Sequence, residues 1–378
     1  MRICHVSPHL PPDQAANALL PAQLAGWSAA RGAEVRFVTQ PPTQGRAPVG
    51  ALPGQVWRVR PRSGSGLSRM LRIDLVRRSR SIALALEQAA GQADLLHLHS
   101  NGLLVEVAAA WADRHGLPYV LTLYGTEIWH YRRRWPIDPF TRAYRGARAV
   151  TFYSQGLLDK ARDLGLDRPG LRVVYPAVSP AFVGVDDTTR ALWRQALGFT
   201  EPRLILNVKR LHPLAGQRFL LEAFSAVARG RADVRLVICG TGPLAAALTE
   251  QARQLGIADR VTFAGLVANE EVARYAAVAD VFALPSLLEA LPTVAVEALA
   301  AGTPVVSADH PGGLELHQLF GDDVTVVPRE DVTALAGALA AYLEAPRRTR
   351  PRTADLVREH FSPATVEAAY ADVYRSIL

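Results

Sequence analysis

The chain of 378 residues contains only two cysteines, Cys4 and Cys239. Each lies inside a short apolar run typical of a buried strand, RICHV and VRLVICG. Two isolated cysteines exclude a small secreted fold that is stabilised by a disulfide framework. Neither stands in a pattern typical of a catalytic thiol, so we expect both to be small core residues of a protein kept in a reducing compartment.

Long hydrophobic runs are also lacking. No stretch of about 18 uncharged apolar residues could span a bilayer, and the opening RICHV is too short for the hydrophobic region of a signal peptide. A hydrophobic content of 49% with 20% charged residues is typical of well-packed globular domains, and the length suffices for two of them. We therefore expect a cytoplasmic location.

Lysine is nearly absent, because arginine supplies all of the basic residues except Lys160 and Lys209. The formal net charge of +7 favours anionic partners. The basic residues show neither aromatic interleaving nor a nucleic-acid-binding motif, so we expect no nucleic acid partner. A sugar nucleotide or an anionic membrane surface explains the charge more simply.

Short strand-like runs alternate with helix-length segments in both halves of the chain. The first half contains RICHV, EVRFV, ADLLHLH, PYVLTLY, ARAVTFY and LRVVYP, and the second contains RLILNV, VRLVICG, RVTFAG, ADVFALP, TPVVS and VTVVP. This alternation predicts an α/β protein with two Rossmann-like, doubly wound parallel sheets. Ligands of such sheets bind at the carboxyl ends of the strands, and we expect the active site in a cleft between the two lobes.

The turn-rich stretch YPAVSPAFVGVDD places the domain boundary near Phe182. The prediction is an N-terminal domain over 1–182, a C-terminal domain over 183–360, and a C-terminal helix over 361–378 that packs back on the N-terminal domain. Pro41–Ser68, rich in proline and glycine, is predicted to be one long loop.

Two glutamates stand out in LPSLLEALPTVAVEALAAGTPVVS, which predicts a strand, a helix and a second strand. Glu297 projects from an otherwise apolar helix, and Glu289 lies in the turn that enters it. A carboxylate buried without a partner costs several kcal/mol. One interpretation is a helix-favouring glutamate at the sheet edge. The other is that both carboxylates face a ligand and accept hydrogen bonds from a sugar or ribose diol.

Two other segments follow predicted strands of the second half. Gly240 and Gly242 lie between a strand and a helix, where they permit either a tight turn or close approach of a ligand to the backbone. Lys209 and Arg210 end the first strand of this half, where two cations can hold a diphosphate.

Taken in order, Lys209-Arg210, Gly240-Thr241-Gly242-Pro243, RVTFAGLV, and Glu289 with seven residues before Glu297 resemble the retaining glycosyltransferases of family 4. That family has the GT-B architecture of two Rossmann-like domains. The resemblance covers the second half closely and the first half more loosely, through DLLHLHS, VLTLYGTE, FYSQGLL and VVYPAVSPAF.

The resemblance implies a role for each matching residue. Glu297 would bind the ribose of a nucleotide sugar, and Glu289 the transferred sugar. The turn Leu291-Pro292-Thr293 and the segment around Gly240, Gly242 and Pro243 would lie against the donor, with the diphosphate at the turn. Leu266 would lie beside the base, and Arg210 with Lys209 would stabilise the departing diphosphate.

Three positions depart from the family pattern. Ala215 stands where a lysine is usual, which leaves Lys209 or Arg218 to assist Arg210, and we favour Lys209. Ala15-Ala16 replace a common glycine pair, so Ala16 should narrow the space for the diphosphate. Tyr124 stands where histidine is common. It could hydrogen-bond a sugar or acceptor hydroxyl but would be a poor base at neutral pH, and the alternative is a buried core tyrosine.

No metal is predicted. His97 and His99 lie two apart on one strand and point to the same face, but no third ligand is evident. No Asp-x-Asp follows a strand to hold Mg²⁺, and the resemblance implies that cations and a helix N-terminus replace the ion. We also predict no cofactor, because the nucleotide sugar is a substrate.

The predicted activity is transfer of a hexose from a UDP- or GDP-sugar to an acceptor hydroxyl with retention at the anomeric carbon. Alternatives are a sugar-nucleotide epimerase or hydrolase, and a sugar-nucleotide-binding protein without turnover. A dehydrogenase is excluded, since MRICHVSPHLPPD lacks the Gly-x-Gly-x-x-Gly fingerprint.

The acceptor is not identified by the sequence. A basic run mixed with apolar residues is either a solvated helix face or a surface that docks on anionic lipid to reach a lipid-linked or envelope glycan acceptor. This run contains Arg62, Arg69, Arg72, Arg77, Arg78 and Arg80.

Overall fold

A computed structural model describes residues 1–13, 16–42, 52–60, 73–133, 136 and 138–378. The chain divides into two compact units. The first combines Met1–Tyr175 with Val366–Leu378, and the second is Pro176–Thr365. Within the described ranges, no helix combines the length and apolar character needed to cross a membrane.

The first unit is built on a seven-stranded sheet in the order β3-β2-β1-β4-β5-β6-β7, with every neighbouring pair parallel. Its strands are β1 (Arg2–Ser7), β2 (Glu34–Thr39), β3 (Gln55–Arg58), β4 (Leu95–His99), β5 (Tyr119–Leu123), β6 (Ala149–Phe152) and β7 (Leu171–Val173). The helices that it contributes are α1 (Ala16–Ala30), α2 (Ile73–Ala90), α3 (Leu103–His115), α4 (Thr126–Trp129), α5 (Pro139–Gly146) and α6 (Gln155–Asp163).

The second unit is built on a six-stranded parallel sheet in the order β10-β9-β8-β11-β12-β13. Its strands are β8 (Arg203–Val208), β9 (Val234–Cys239), β10 (Val261–Gly265), β11 (Val281–Leu284), β12 (Val305–Ala308) and β13 (Val324–Val327). The helices that follow β7 along the chain are α7 (Asp187–Ala196), α8 (Gln217–Gly230), α9 (Ala245–Gln254), α10 (Asn269–Val278), α11 (Thr293–Ala300), α12 (Pro311–Phe320), α13 (Val332–Glu344), α14 (Pro351–Phe361) and α15 (Pro363–Ile377). Helix α15 belongs to the first unit from Val366 onward. Single 3₁₀ turns span Pro213–Ala215, Ala258–Arg260 and Gly321–Asp323.

The predicted α/β architecture with two Rossmann-like sheets is confirmed. The central strands are buried at every position because helices cover both faces of a doubly wound sheet, which explains their near-continuous apolar sequences. The strand order reverses between β1 and β4 in one sheet and between β8 and β11 in the other. Such reversals open a crevice at the carboxyl ends of the strands, where ligands bind.

Both cysteines are free and buried, as expected of core residues. Burial raises the pKa of each thiol from its usual value to about 12, so neither is a thiolate near neutral pH.

The prediction of a single loop over Pro41–Ser68 is wrong in part. Gln55–Arg58 forms β3, an edge strand that pairs with β2. Residues 43–51 and 61–68 of this stretch lie outside the described residues, as do Arg62, Arg69 and Arg72 of the basic run.

The unit boundaries lie near, but not at, the predicted ones. Val178 and Phe182 are each 4% exposed, and the Val178 N–H donates to the carbonyl of Phe361 at 2.8 Å. The second unit begins at Pro176 and extends to Thr365, so both sides of this contact lie within it. The chain from Val366 onward groups with the first unit, where Tyr374 of α15 contacts His97 of β4.

A glycine connects β8 to α8 under a close constraint. Gly216 has φ of 70°, and a Cβ at this position would overlap the carbonyl oxygen of Pro285. The position therefore needs glycine both for its left-handed conformation and for space. Gly198 shares the left-handed conformation at φ 75°, but a Cβ there would meet no atom within 4 Å.

We expect Gly216→Ala to destabilise the second unit by about 2 to 5 kcal/mol, since the left-handed strain and the clash with Pro285 add. Gly198→Ala is the matched control and should cost only about 1 to 2 kcal/mol from strain. Urea denaturation measures both free energies of unfolding. Equal losses for the two variants would show that the contact with Pro285 is not restrictive.

Candidate active site

Strand β8 ends at a cation that is paired with one of the predicted glutamates. The Lys209 Nζ lies 2.6 Å from Glu289 Oε1, and the two side chains are 26% and 17% exposed. Arg210 is exposed, and its carbonyl accepts a hydrogen bond from Gln217 Nε2 at 3.2 Å. The structure thus brings Lys209 and Glu289 together, which the sequence analysis did not foresee.

Glu297 is the second predicted glutamate and lies in the middle of α11. Buried apolar residues surround it along the helix. Among the residues that the structure describes, none donates a hydrogen bond to its carboxyl group or forms an ion pair with it. Desolvation raises the pKa of Glu297 to about 7, so about half of the carboxyl groups are protonated at neutral pH.

The segment between β11 and α11 carries Glu289 and is held by backbone contacts. The Leu287 N–H donates to the Leu214 carbonyl at 2.8 Å, and the Leu287 carbonyl accepts from Arg329 at 3.4 Å. The Glu289 carbonyl accepts from the Gly312 N–H at 3.0 Å. Three neighbouring elements therefore determine where Glu289 stands.

The glycine turn after β9 packs on the segment that follows β8. A Cβ at Gly240 would overlap the Lys209 carbonyl, and one at Gly242 would overlap the carbonyl of Leu211. Across the same contact, the Leu211 N–H donates to the Thr241 carbonyl at 3.0 Å. This close approach accounts for both glycines structurally, and a role for them or for Pro243 in donor binding stays a prediction.

The other predicted donor-site residues differ in exposure. Leu266 follows β10 and is 67% exposed, whereas Leu291 is 6% exposed. Pro292 occupies the N-cap position of α11 and Thr293 its first helical position, and the Pro292 side chain makes no capping hydrogen bond. The first amides of α11 are therefore open to an anion.

His310 is a residue of this region that the sequence analysis missed. It precedes α12, is fully buried, and its Nδ1 accepts from the Gly313 N–H at 2.9 Å. Burial lowers its pKa to about 4, and Glu289 and Lys209 are among the charges that act on it. The signal that could have found it is the sequence His-Pro-Gly-Gly directly after a buried strand, which is typical of a helix start.

In the first unit, Tyr124 is part of an internal hydrogen-bond network. Its hydroxyl lies 2.8 Å from His99 Nδ1, and burial holds its pKa well above the usual value. Tyr124 therefore cannot serve as a base near neutral pH, which agrees with the expectation from the sequence that it would be a poor one. Ala16 begins α1, and its side chain lies outside the described residues.

His97 and His99 of β4 meet a third histidine, His5 of β1, and all three are fully buried. Five of their six ring nitrogens already have hydrogen-bond partners, and only His5 Nε2 lacks one. The rings of His97 and His99 stack with centroids 4.0 Å apart. The ring nitrogens of the three histidines lie within 4.8 Å of one another, so His5 is the third candidate ligand that was not evident from the sequence, and binding a metal there would require these hydrogen bonds to be given up.

Comparison with known proteins identifies the family. The family model described as glycosyl transferases group 1 matches residues 189–360, and the model of the glycosyl transferase 4-like domain matches residues 21–177. The chain belongs to the group 1 glycosyltransferases. The two matches cover the two Rossmann-like units in turn.

Two glycosyltransferases from bacteria are similar to this chain. A GDP-mannose-dependent α-(1-6)-phosphatidylinositol monomannoside mannosyltransferase of Mycolicibacterium smegmatis is 33% identical over 53% of this chain and 54% of its own length. A putative teichuronic acid biosynthesis glycosyltransferase of Bacillus subtilis is 29% identical over 73% of this chain and 67% of its own. The match to the first of these relatives thus spans about half of that protein.

Solved structures of other proteins share the fold of this chain. An Anabaena protein in complex with UDP-glucose superposes with a TM-score of 0.77 at 19% identity, with all of both chains covered. At this identity the likeness establishes the GT-B fold and no more.

The structure shows the surroundings of Ala215 and of the two cations that could assist Arg210. Ala215, where the resemblance leads us to expect a lysine, is 3% exposed in the 3₁₀ turn Pro213–Ala215. Of the two candidate replacements, Lys209 contacts Glu289, whereas Arg218 lies 3.6 Å from Glu330 and stacks over Phe219.

The histidine network predicts acid sensitivity. Burial lowers the pKa of His5 to about 3, and those of His97 and His99 lie well below their usual value. The unfolded chain then binds more protons below about pH 6.5, so stability should fall as the pH falls, by about 1.4 kcal/mol per pH unit for each histidine. His5→Gln should reduce the slope of unfolding free energy between pH 6 and 4 by about that amount. An unchanged slope would contradict this assignment.

Proposed function

We propose that this protein transfers a sugar from a nucleotide diphosphate sugar to an acceptor hydroxyl, with retention at the anomeric carbon and without a metal ion. The observation that carries the proposal is the pairing of Lys209 with Glu289 in the unit where Glu297 has no partner among the described residues. One carboxylate held by a cation and another left for a ligand suit the recognition of a charged, polyhydroxylated donor.

The nucleotide is assigned to Glu297 and the start of α11. A half-buried carboxyl group without a partner destabilises the protein, and two ribose hydroxyls would supply the missing hydrogen bonds. The uncapped first turn of α11, near Leu291, Pro292 and Thr293, offers amides to the diphosphate. Exposed Leu266 offers apolar surface to the base.

The sugar and the leaving group are assigned to Glu289, Lys209 and Arg210. Glu289 accepts hydrogen bonds from sugar hydroxyls, while the two cations stabilise charge that develops on the departing diphosphate. The acceptor attacks from the face that the diphosphate leaves, and a phosphate oxygen takes the acceptor proton. This course requires no protein base, which agrees with the raised pKa of Tyr124.

The donors and acceptors of similar proteins are candidates to test for this chain. The Mycolicibacterium relative uses GDP-mannose, and the Anabaena protein binds UDP-glucose. That relative acts on a phosphatidylinositol mannoside, and the Bacillus relative is assigned to teichuronic acid synthesis. We therefore propose an envelope or lipid-linked glycan acceptor.

Helix α2 supplies a surface for such an acceptor at a membrane. Arg77 and Arg80 are exposed, and so are the apolar Leu75, Val76 and Leu84. This mixture suits peripheral association with anionic lipid. Equal sedimentation with neutral and anionic vesicles at low salt would remove this part of the proposal.

Donor turnover and product stereochemistry test the proposed function. Nuclear magnetic resonance of the reaction with UDP-glucose or GDP-mannose should show a retained anomeric configuration in the product. Donor consumption without an acceptor would favour a hydrolase, and conversion to another nucleotide sugar an epimerase. Saturable donor binding without any turnover would favour a binding protein, and an inverted product would overturn the mechanism.

We favour Lys209 over Arg218 as the second phosphate ligand, because Lys209 contacts Glu289. Lys209→Ala should lower turnover by roughly 10- to 150-fold, because a charge-assisted contact contributes about 1.5 to 3 kcal/mol. Lys160→Ala, which removes the only other lysine, is the matched control and should have no effect. Full activity of Lys209→Ala together with loss in Arg218→Ala would reverse the assignment.

Glu297→Gln should separate stability from binding. The pKa of Glu297 is raised in the folded protein, so ionising it costs stability progressively as the pH rises from about 4.5 to 7. The variant should be more stable than the parent by about 1 to 3 kcal/mol at pH 8, after allowance for partial exposure, and no more stable at pH 4. Its affinity for UDP or GDP at pH 8 should fall by roughly 10-fold. Chemical denaturation and calorimetry measure the two effects, and unchanged nucleotide affinity would count against the ribose assignment.

A further inference from the structure

The first turn of α12 touches the segment that carries Glu289. Besides donating to the Glu289 carbonyl, Gly312 lies so close that a Cβ would stand 2.8 Å from Pro292 Cδ and 2.9 Å from the Ala290 carbonyl oxygen. Real Cβ atoms essentially never come within 3.0 Å of such atoms. Any side chain at 312 must therefore displace the Glu289 segment or the helix.

This turn is anchored on β12 on its other side. A Cβ at Gly313 would overlap the Ala308 carbonyl and the Ser307 hydroxyl, so the helix start lies directly on the strand end. His310 closes the turn by accepting the Gly313 N–H at Nδ1, while its Nε2 lies 3.4 Å from Ser307 Oγ. The first turn of α12 therefore contacts β12 on one side and the segment of Glu289 on the other.

The protonation state of His310 follows from these contacts. Because Nδ1 accepts a backbone hydrogen bond, the neutral ring carries its proton on Nε2. Burial keeps the ring neutral at physiological pH, with a pKa of about 4. The helix start is therefore capped without adding a charge beside Glu289 and Lys209.

We propose that His310 and Gly312 are positioning residues that hold Glu289 in place for the transferred sugar. The inference rests on the proposed role of Glu289 in sugar recognition. Neither residue needs to touch the donor. Their effect is greatest on the sugar-dependent step, because Gly312 contacts the segment that carries Glu289, whereas Glu297, which is assigned to the ribose, lies farther along α11.

Gly312→Ala tests this inference, and Gly337→Ala is its matched control. Gly337 lies within α13, where an added Cβ meets nothing within 4 Å. We expect Gly312→Ala to weaken the binding of UDP and GDP by less than about 5-fold, through the shift at Pro292, and to release nucleotide from UDP-glucose or GDP-mannose roughly 10- to 100-fold more slowly. Gly337→Ala should match the parent in both measurements.

Two substitutions of His310 separate capping from mere bulk. Asparagine is a favoured N-cap residue and keeps an uncharged acceptor for the Gly313 N–H, whereas alanine removes it. His310→Asn should therefore retain turnover within a few-fold of the parent, and His310→Ala should lose it as Gly312→Ala does. Equal losses for both His310 variants would overturn the role of the cap.

A crystal structure of Gly312→Ala provides a readout that does not depend on turnover. Displacement of residues 289–292, with loss of the contact between Lys209 and Glu289, is the expected result. An unmoved segment, or an equal loss of nucleotide affinity and turnover, would overturn the proposal. If the parent protein turns over no nucleotide sugar, the proposed function fails, while the structure of the variant still decides the positioning role.

Discussion

Direct contact between backbone segments at the carboxyl edge of the second sheet is the constraint on which the candidate site depends. Gly240 and Gly242 lie against the segment after β8, Gly216 lies against Pro285, and Gly312 lies against Ala290. Each contact leaves no room for a side chain, because protein interiors tolerate little extra volume. The loops that carry Lys209 and Glu289 are consequently held together through their main chains.

Within this edge, two glutamates of identical chemistry have opposite electrostatic surroundings. Glu289 has a cation at 2.6 Å. Glu297 lies among apolar side chains of α11, and desolvation favours its protonated form. In the proposed reaction this difference is useful, because one carboxylate must stay charged beside the leaving group while the other needs hydrogen bonds from a ligand.

The sheets could be predicted from the sequence because parallel strands that are buried on both faces consist of nearly continuous apolar residues. Strand β3 escaped prediction because QVWR is short, lies at the edge of the sheet and has no fully buried residue. Lys209, Glu289 and Glu297 were found as individual residues from their positions at strand ends and in an apolar helix. The contact between Lys209 and Glu289 was not found, because the two residues are distant in sequence and their side-chain directions depend on tertiary packing. His310 was missed because its sequence context indicates only a helix start. Its burial and its hydrogen bond to the Gly313 N–H, which give it a place beside Glu289, depend on tertiary packing.

The place of Lys209 also bears on the absence of a lysine at position 215. An ammonium group has three N–H donors, so Lys209 can contact Glu289 and a phosphate oxygen at the same time. Without it, an ionised Glu289 and the departing diphosphate would repel each other by about 4 kcal/mol at 4 Å in an effective dielectric of about 20. A cation between the two anions removes this repulsion and lets Glu289 accept sugar hydroxyls beside the leaving group. In the proposed reaction, Lys209 therefore contacts both the sugar-binding glutamate and the phosphate. A second lysine at the buried position 215, where Ala215 stands, is then not required.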